Sequence, residues 1–172
     1  MKNLPPMPDS YFEKFSTNPV SVKPFDPKSK LIAKEYIVLL RNFLKGYRVE
    51  ILHRGSTAFG ISGKGDVEIG IYPSETDWQS VIETLKNYFG ELGNIEDDYA
   101  RFNDRKDGFE IEVILQKGDA AIVDMALTKY LMGHPEILKK YEQLKNKHSY
   151  SKREYQIQKD KFLRKVIESI PE

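Results

Sequence analysis

Two short stretches of the chain carry residues whose types and spacing suit phosphoryl chemistry. The first is Gly55-Ser56, at the end of an apolar run. The second, a glycine-rich loop later, is the acid–apolar–acid sequence Asp66-Val67-Glu68. Glycine lets the backbone approach a phosphate, serine adds a small hydroxyl, and a helix following them points its positive end at the anion. Asp66 and Glu68, two residues apart on a strand, share one face and lie roughly 6–7 Å apart along the chain. Their carboxylates can converge on divalent ions held ~3.5–4 Å apart, the spacing of two-metal phosphoryl transfer. Every ligand is a hard oxygen, so magnesium is the expected ion, with manganese as its substitute. A third carboxylate usually comes from a neighbouring strand, and Glu110 and Glu112 both qualify; the sequence does not choose between them.

The elements that must hold these residues follow from periodicity. Residues 1–24, with Pro5, Pro6, Pro8 and Pro19, read as an irregular arm pinned by Tyr11, Phe12 and Phe15. Asp26-Pro27 marks a helix start. Leu31, Ile32, Tyr36, Leu39, Leu40 and Phe43 continue it at helical spacing, and Gly46 stops it. A strand over 47–53 leads into Gly55-Ser56, and Gly60, Gly63 and Gly65 make the next segment a loop and short turn. In the strand over 66–72, Val67, Ile69 and Ile71 alternate with Asp66, Glu68 and Gly70, and Pro73 ends it. Ser74 or Thr76 caps a helix running to Phe89, with Trp78, Val81, Ile82 and Leu85 inward. Residues 95–103 and 108–116 form a hairpin around Asp107-Gly108. From about Ala120 the pattern is helical to the end, broken at Gly133, at His134-Pro135 and near 148–151. The resulting expectation is an α/β (α+β) chain, with a single domain over 25–172 and a helical C-terminal extension.

Composition removes several alternatives. The 172 residues suffice for one well-buried core. With no cysteine, disulfides, thiolate catalysis and zinc–thiolate sites are excluded. The 27 basic and 26 acidic side chains nearly cancel, which disfavours long nucleic acid and favours a nucleotide or small molecule. The longest strongly apolar run, Tyr36 to Leu40, is far short of the ~20 residues that span a bilayer. No signal-like stretch opens the chain, so a cytoplasmic protein is expected.

Each candidate also has a plainer reading. Gly55-Ser56 alone is an ordinary turn, and Glu110 and Glu112 are equally the wet face of a hairpin. The segment from Gly60 to Gly65 imitates a Walker-type phosphate loop around Lys64, but Ala58 stands at the required first glycine and Gly65 at the required Ser/Thr. His53, His134 and His148 show no metal-ligand spacing.

The stretch from His53 to Ala58, with Gly60 and Lys64, and its approach from Val22 to Pro27 resemble the GrpB family of the nucleotidyltransferase superfamily. The tail adds an independent match: Leu127 to Leu131, His134-Pro135-Glu136, Tyr141, Leu144-Lys145, and Tyr155 with Lys159 and Phe162. The resemblance spans about residues 21–168. It implies a nucleotidyltransferase fold, a mixed β-sheet flanked by helices. It also implies phosphate contacts from Gly55 and Ser56, metal ligation by Asp66 and Glu68, a third acid from Glu112 or Glu110, and anion contacts from Lys64, Lys145 and Lys159. Members of that family tend to carry a longer loop with proline before its glycine, one clear acid on the second strand, and histidines where Glu110 and Glu112 stand. These departures bring the chain nearer the catalytic superfamily pattern.

The functional expectation is a metal-dependent nucleotidyltransferase that moves a nucleoside monophosphate from a nucleoside triphosphate to an unidentified small-molecule or protein acceptor. The alternative is a GrpB-like protein that binds a nucleotide or metabolite without turnover.

Overall fold

The computed structural model describes residues 6–171; Pro5 of the expected arm and the last residue of the expected domain fall outside them. Five strands, β1 (Val49–Arg54), β2 (Val67–Pro73), β3 (Asn94–Ile95), β4 (Tyr99–Lys106) and β5 (Phe109–Gln116), form one sheet in the order β1-β2-β5-β4-β3. Only the β2–β5 pair is parallel. Among the described residues, seven helices accompany them: α1 (Asp9–Glu13), α2 (Lys28–Phe43), α3 (Gly55–Phe59), α4 (Trp78–Phe89), α5 (Gly118–Met132), α6 (Pro135–Lys147) and α7 (Lys152–Ser169).

The strand alternation expected for 66–72 sets the main core. Val67, Ile69 and Ile71 are completely buried and pack, with Val113 and Leu115 of β5, against α2 and α4. The opposite face is also covered farther along, where Gly70 and Tyr72 lie buried under the helical layer. A second apolar cluster, Leu131, Leu138, Tyr141 and Val166 with Ile61, joins α5, α6 and α7 to the glycine-rich loop. The carboxylates expected to do chemistry stand between these two clusters.

Local structure departs from expectation in instructive places. Asp26 accepts the Lys28 amide at 2.9 Å, but α2 starts one residue later than the Asp-Pro pair suggests, with Pro27 rather than Asp26 preceding its first residue, and Leu31 of the expected apolar set faces solvent. Asp77, not Ser74 or Thr76, precedes α4, and it makes no side-chain cap bond. Its carboxylate accepts the Arg48 amide instead, while the Ser74 and Thr76 hydroxyls bond each other. Asp107 and Gly108 both take positive φ, 51° and 85°, the two-residue hairpin turn that Asp-Gly favours. The segment after Gly55 is helical rather than loop, and α5 begins slightly earlier than expected, at Gly118.

Among its described residues the arm is irregular apart from α1 and a single bridge between Lys23 and Gly63. Backbone bonds from Val20 to Ser149, from Lys152 to Asn18 and from Arg153 to Ser16 fasten it to the start of α7, and Phe12 is buried. Among the described residues, no helix is long and apolar enough to cross a membrane.

Candidate functional site

Strand register brings the site together. In one row across the sheet, Arg54 of β1 faces Glu68 of β2, Glu68 faces Glu112 of β5, and Glu112 faces Asn103 of β4. Parallel pairing sets Glu68 and Glu112 side by side on one face. Asp66 lies just before β2, at the end of the glycine-rich loop, and not within the strand as expected. Glu110 is one step nearer the hairpin turn, opposite Arg105, to which it is ion-paired on the exposed rim.

Each of the three inner carboxylates has its own cation. Asp66 is 3.5 Å from Lys64, Glu68 is 3.5 Å from Arg54, and Glu112 is 4.0 Å from Arg101. Burial opposes ionisation of Glu68, but the Arg54 guanidinium, with Lys159 and Lys64 behind it, outweighs that and holds its pKa below the ordinary carboxylate value. Glu112 goes the other way: burial raises its pKa, and the neighbouring charges of Glu68 and Asp66 raise it further. Two adjacent carboxylates thus titrate apart.

Gly55 explains itself geometrically. Its φ is +76°, and a Cβ there would lie 2.5 Å from Glu68 Oε1. The bare backbone lets Glu68 lie directly against the turn, where any other side chain would displace it. Ser56 does not face open space. Its hydroxyl accepts a 2.5 Å bond from Lys145, whose ammonium also donates to the Ser62 carbonyl. Lys145 is only 1% exposed, and burial, assisted by the like charge of Lys159, pushes its pKa down to about 8. From the same helix Glu142 accepts the Ser62 amide at 2.6 Å. Helix α6 therefore clamps the loop at Ser62, and Lys145 is a structural tie as much as an anion contact. Lys159 makes no hydrogen bond or ion pair among the described residues and borders a small cavity of about 60 Å³ together with Gly55, Ser56, Glu68 and Asp124. Lys64 and Asp66, with Glu110, border a separate, larger groove of about 440 Å³.

Several participants carry no signal in the sequence pattern. Arg54 donates to Gln116 at 3.0 Å and to Asp124 at 2.6 Å, and Tyr72 donates to the same Asp124 oxygen. Asp124 sits on α5, far from the other acids in sequence, and only its position under Tyr72 and Arg54 exposes its part. Gly70 is needed here too, because the Tyr72 phenol crosses the place its Cβ would fill. His53, half-buried and with its pKa lowered to about 4 by desolvation, bonds the Thr57 hydroxyl at 2.9 Å, and Thr57 in turn donates to the Asp66 carbonyl. The histidine thus props the loop. His134 bonds the Tyr130 carbonyl of the preceding helix.

A divalent cation is the natural test of the acid set. Asp66, Glu68 and Glu112 are hard oxygen donors on one face, which suits magnesium or manganese in kind. Among the described residues, however, no three Asp, Glu, His or Cys side chains stand close enough to hold a metal as they are. The carboxylates point at Lys64, Arg54 and Arg101 and would have to leave them.

The fold and this arrangement have relatives. A structure of the conserved protein GrpB from Enterococcus faecalis matches with TM-score 0.69 and 20% identity, covering 87% of this chain and 96% of that one. GLD-2, from its complex with RNP-8, matches with TM-score 0.56 and 13% identity over 90% of this chain and 60% of its own. Cid1 bound to the UTP analogue UMPNPP matches with TM-score 0.52 and 14% identity over 81% and 43%, and Cid1 with magnesium and 3′-dATP matches with TM-score 0.50 and 13% identity over 81% and 44%. The chain spans less than half the length of Cid1. GLD-2 and Cid1 are nucleotidyltransferases, and the shared fold is theirs. The curated proteins contain no significant match. The family model described as GrpB protein matches residues 19–169, nearly the whole chain. The chain belongs to the GrpB family, within the nucleotidyltransferase-like superfamily.

Proposed function

We propose that the protein is a metal-dependent nucleotidyltransferase, transferring a nucleoside monophosphate from a nucleoside triphosphate to a small-molecule or protein acceptor. The observation that carries this reading is the pairing of Glu68 with Glu112 on adjacent parallel strands, with Asp66 entering at their end and Gly55 pressed against Glu68. Superfamily relatives hold a UTP analogue or magnesium with 3′-dATP. Here Gly55, Ser56 and Lys159 would receive phosphate oxygens, and Asp66, Glu68 and Glu112 would hold Mg²⁺ or Mn²⁺. Such an ion neutralises charge on the phosphates during transfer. Lys64 and Lys145 would act from either side of the glycine-rich loop, Lys145 by holding Ser56 in place.

In the transfer, the acceptor hydroxyl oxygen bonds to the α-phosphorus, the bond to the bridging oxygen of the β-phosphate breaks, and pyrophosphate leaves. The hydroxyl proton passes to Glu112, whose carboxylate burial and the neighbouring Glu68 charge make a stronger base than an ordinary one. Glu112 is the better third acid. Glu110 is exposed and ion-paired to Arg105, one step away from Glu68.

The test is thermal melting with each of the four nucleoside triphosphates, with and without magnesium or manganese, on wild type and Asp66→Asn/Glu68→Gln. A ligand at ~100 times its Kd adds about 2.7 kcal/mol, several degrees for a chain of this size. We expect a metal-dependent shift that the double variant loses while keeping its fold. A shift that persists in the variant would sink the assignment.

The second reading, a nucleotide- or metabolite-binding protein without turnover, draws on the ion pairs. With Lys64, Arg54 and Arg101 already neutralising the acids, the cluster is stable without a metal. A triphosphate-induced shift that needs no divalent ion would favour it.

A further inference from the structure

A serine becomes a nucleophile when a base lies within hydrogen-bond reach of its hydroxyl and a third group orients that base. Lys145 Nζ is 2.5 Å from Ser56 Oγ and also bonds the Ser62 carbonyl, with the Tyr141 ring centre 4.8 Å away. Both polar contacts survive loss of a proton. The ammonium donates to both oxygens, whereas the neutral amine donates to the Ser62 carbonyl and accepts from the Ser56 hydroxyl. The charged groups that bear on Lys145 are Lys159 of α7, Glu142 of α6 and Glu68 of β2. Neither carboxylate is ion-paired to it: Glu142 accepts the Ser62 amide, and Glu68 pairs with Arg54. Burial and the like charge of Lys159 therefore prevail, and the lysine loses its proton near pH 8.

The pair is also placed to meet a ligand in the right order. Half-buried Ser56 borders the small cavity, together with Phe59, Leu127, Leu131 and Leu163, while Lys145, 1% exposed, is not part of that lining. Gly63 packs over the pair: a Cβ there would come within 2.7 Å of Ser56 Oγ and 3.2 Å of Lys145 Nζ. The arm fixes Gly63 in turn, through paired backbone bonds with Lys23 of 2.7 and 3.1 Å. Bare backbone thus closes the side of the dyad away from the cavity's leucines without displacing the hydroxyl.

We propose that Ser56 is a nucleophile with Lys145 as its general base, and that the small cavity takes a short-chain acyl ester whose acyl group rests on Leu127, Leu131 and Leu163. Serine–lysine pairs support acyl transfer on unrelated folds. Ser56 Oγ bonds to the ester carbonyl carbon as its proton passes to the Lys145 amine. The bond to the alcohol oxygen then breaks, Lys145 returns the proton to that oxygen, and the alcohol leaves. A water molecule, deprotonated by Lys145 in the same way, releases the acid and restores the Ser56 hydroxyl. Lys159 borders the cavity and offers positive potential to the carbonyl oxygen as it gains charge. This activity needs neither a metal nor a triphosphate, and it does not depend on the transferase reading.

Methanesulfonyl fluoride is a direct probe, being small and apolar and leaving a stable serine adduct as fluoride departs. The full-length protein is labelled across a pH series, and the modified residue is located and its rate of formation read by peptide mass spectrometry. The label is expected on Ser56, with a rate that rises with pH to a plateau and is half-maximal near pH 8. In Lys145→Met the rate should fall by roughly 100-fold, the lower end of what a positioned base contributes. Labelled wild type should also lose hydrolysis of p-nitrophenyl acetate. No label on Ser56 even at about pH 9, one unit above the lysine's midpoint, overturns the proposal. So does equal labelling in Lys145→Met, a rate that climbs without a plateau (attack assisted by hydroxide rather than lysine), or ester hydrolysis undiminished by the label. The pH series and the ester comparison use wild type alone, so they decide even where Lys145→Met does not fold. Neither includes a divalent ion or a triphosphate, and their failure leaves the transferase reading to its own melting test.

Discussion

At Gly55 the backbone is held at φ +76° with Glu68 lying where a Cβ would go. Alanine there meets both a left-handed backbone cost of ~1–2 kcal/mol and a displaced carboxylate. Gly55→Ala is expected to lower Tm by several degrees and to lose the metal- and triphosphate-dependent melting shift, which a simple backbone penalty would not remove. Lys145 makes a second residue-level case, through its protonation. Its folded pKa of about 8 lies below the ordinary 10.5, so between these values the unfolded chain binds more protons than the folded one. Stability contributed by this group therefore rises with pH from about 8 toward 10.5 and is lost as pH falls back through that window. Lys145→Met should remove the rise. The comparison is cleanest well below pH 10, since the tyrosines raised by burial, Tyr36, Tyr72, Tyr99, Tyr141 and Tyr155, separate folded from unfolded as pH approaches their ordinary value of 10.0. Melting both proteins across this range decides the matter, and a parallel rise in the variant would show that another group is responsible.

At the scale of elements, two devices aim the site. The β4–β5 hairpin must close on Asp107-Gly108 in register, because a one-residue slip would turn Glu112 away from Glu68 and put Val113 in its place. Gly108, at φ +85°, has open space where a Cβ would go, so alanine there costs only the backbone preference. Gly108→Ala should destabilise by about 1–2 kcal/mol and leave triphosphate binding intact, as read by denaturant unfolding and the melting assay. The other device is α6, whose Glu142 and Lys145 grip Ser62 from one face of the helix, three residues apart. That grip, with the His53–Thr57 prop beneath, holds the loop that delivers Asp66 to the sheet.

Across the whole molecule, the site is a seam between two apolar clusters. One lies under the sheet, the other within α5, α6 and α7, and Ile61 of the glycine-rich loop belongs to the second. The positions of Lys159 and Asp124 relative to Glu68 thus depend on the helical layer's packing. Leu131 is 1% exposed in that layer and borders the small cavity. Leu131→Ala should cost about 2–4 kcal/mol, with an enlarged cavity beside Lys159. Calorimetry would measure the loss, and a cost below about 1 kcal/mol would show that the layer repacks freely. The small cavity, at about 60 Å³, is much smaller than the groove of about 440 Å³.

The sequence by itself determined much of this protein. Alternation in Val67, Ile69 and Ile71, the Asp107-Gly108 turn and the helix breaks at Gly133 and His134-Pro135 are local signals, and the corresponding elements form where those signals stand. The Gly-Ser and acid–apolar–acid stretches were legible because their chemistry depends on neighbours a few residues apart. The rest came from contacts between distant segments. No spacing reveals that Glu112 rather than Glu110 lies beside Glu68, since that depends on strand register. Nothing around Asp124 announces that it will take Arg54 and Tyr72, or around Arg101 that it will approach Glu112. Lys145 is as polar as any surface lysine in the sequence and becomes a buried tie only because α6 closes over Ser56 and Ser62. Short-range pattern chose the elements and most of the acids; which charges meet was decided by the packing of the sheet against its helical layer, where residues far apart in the chain come within a few ångströms.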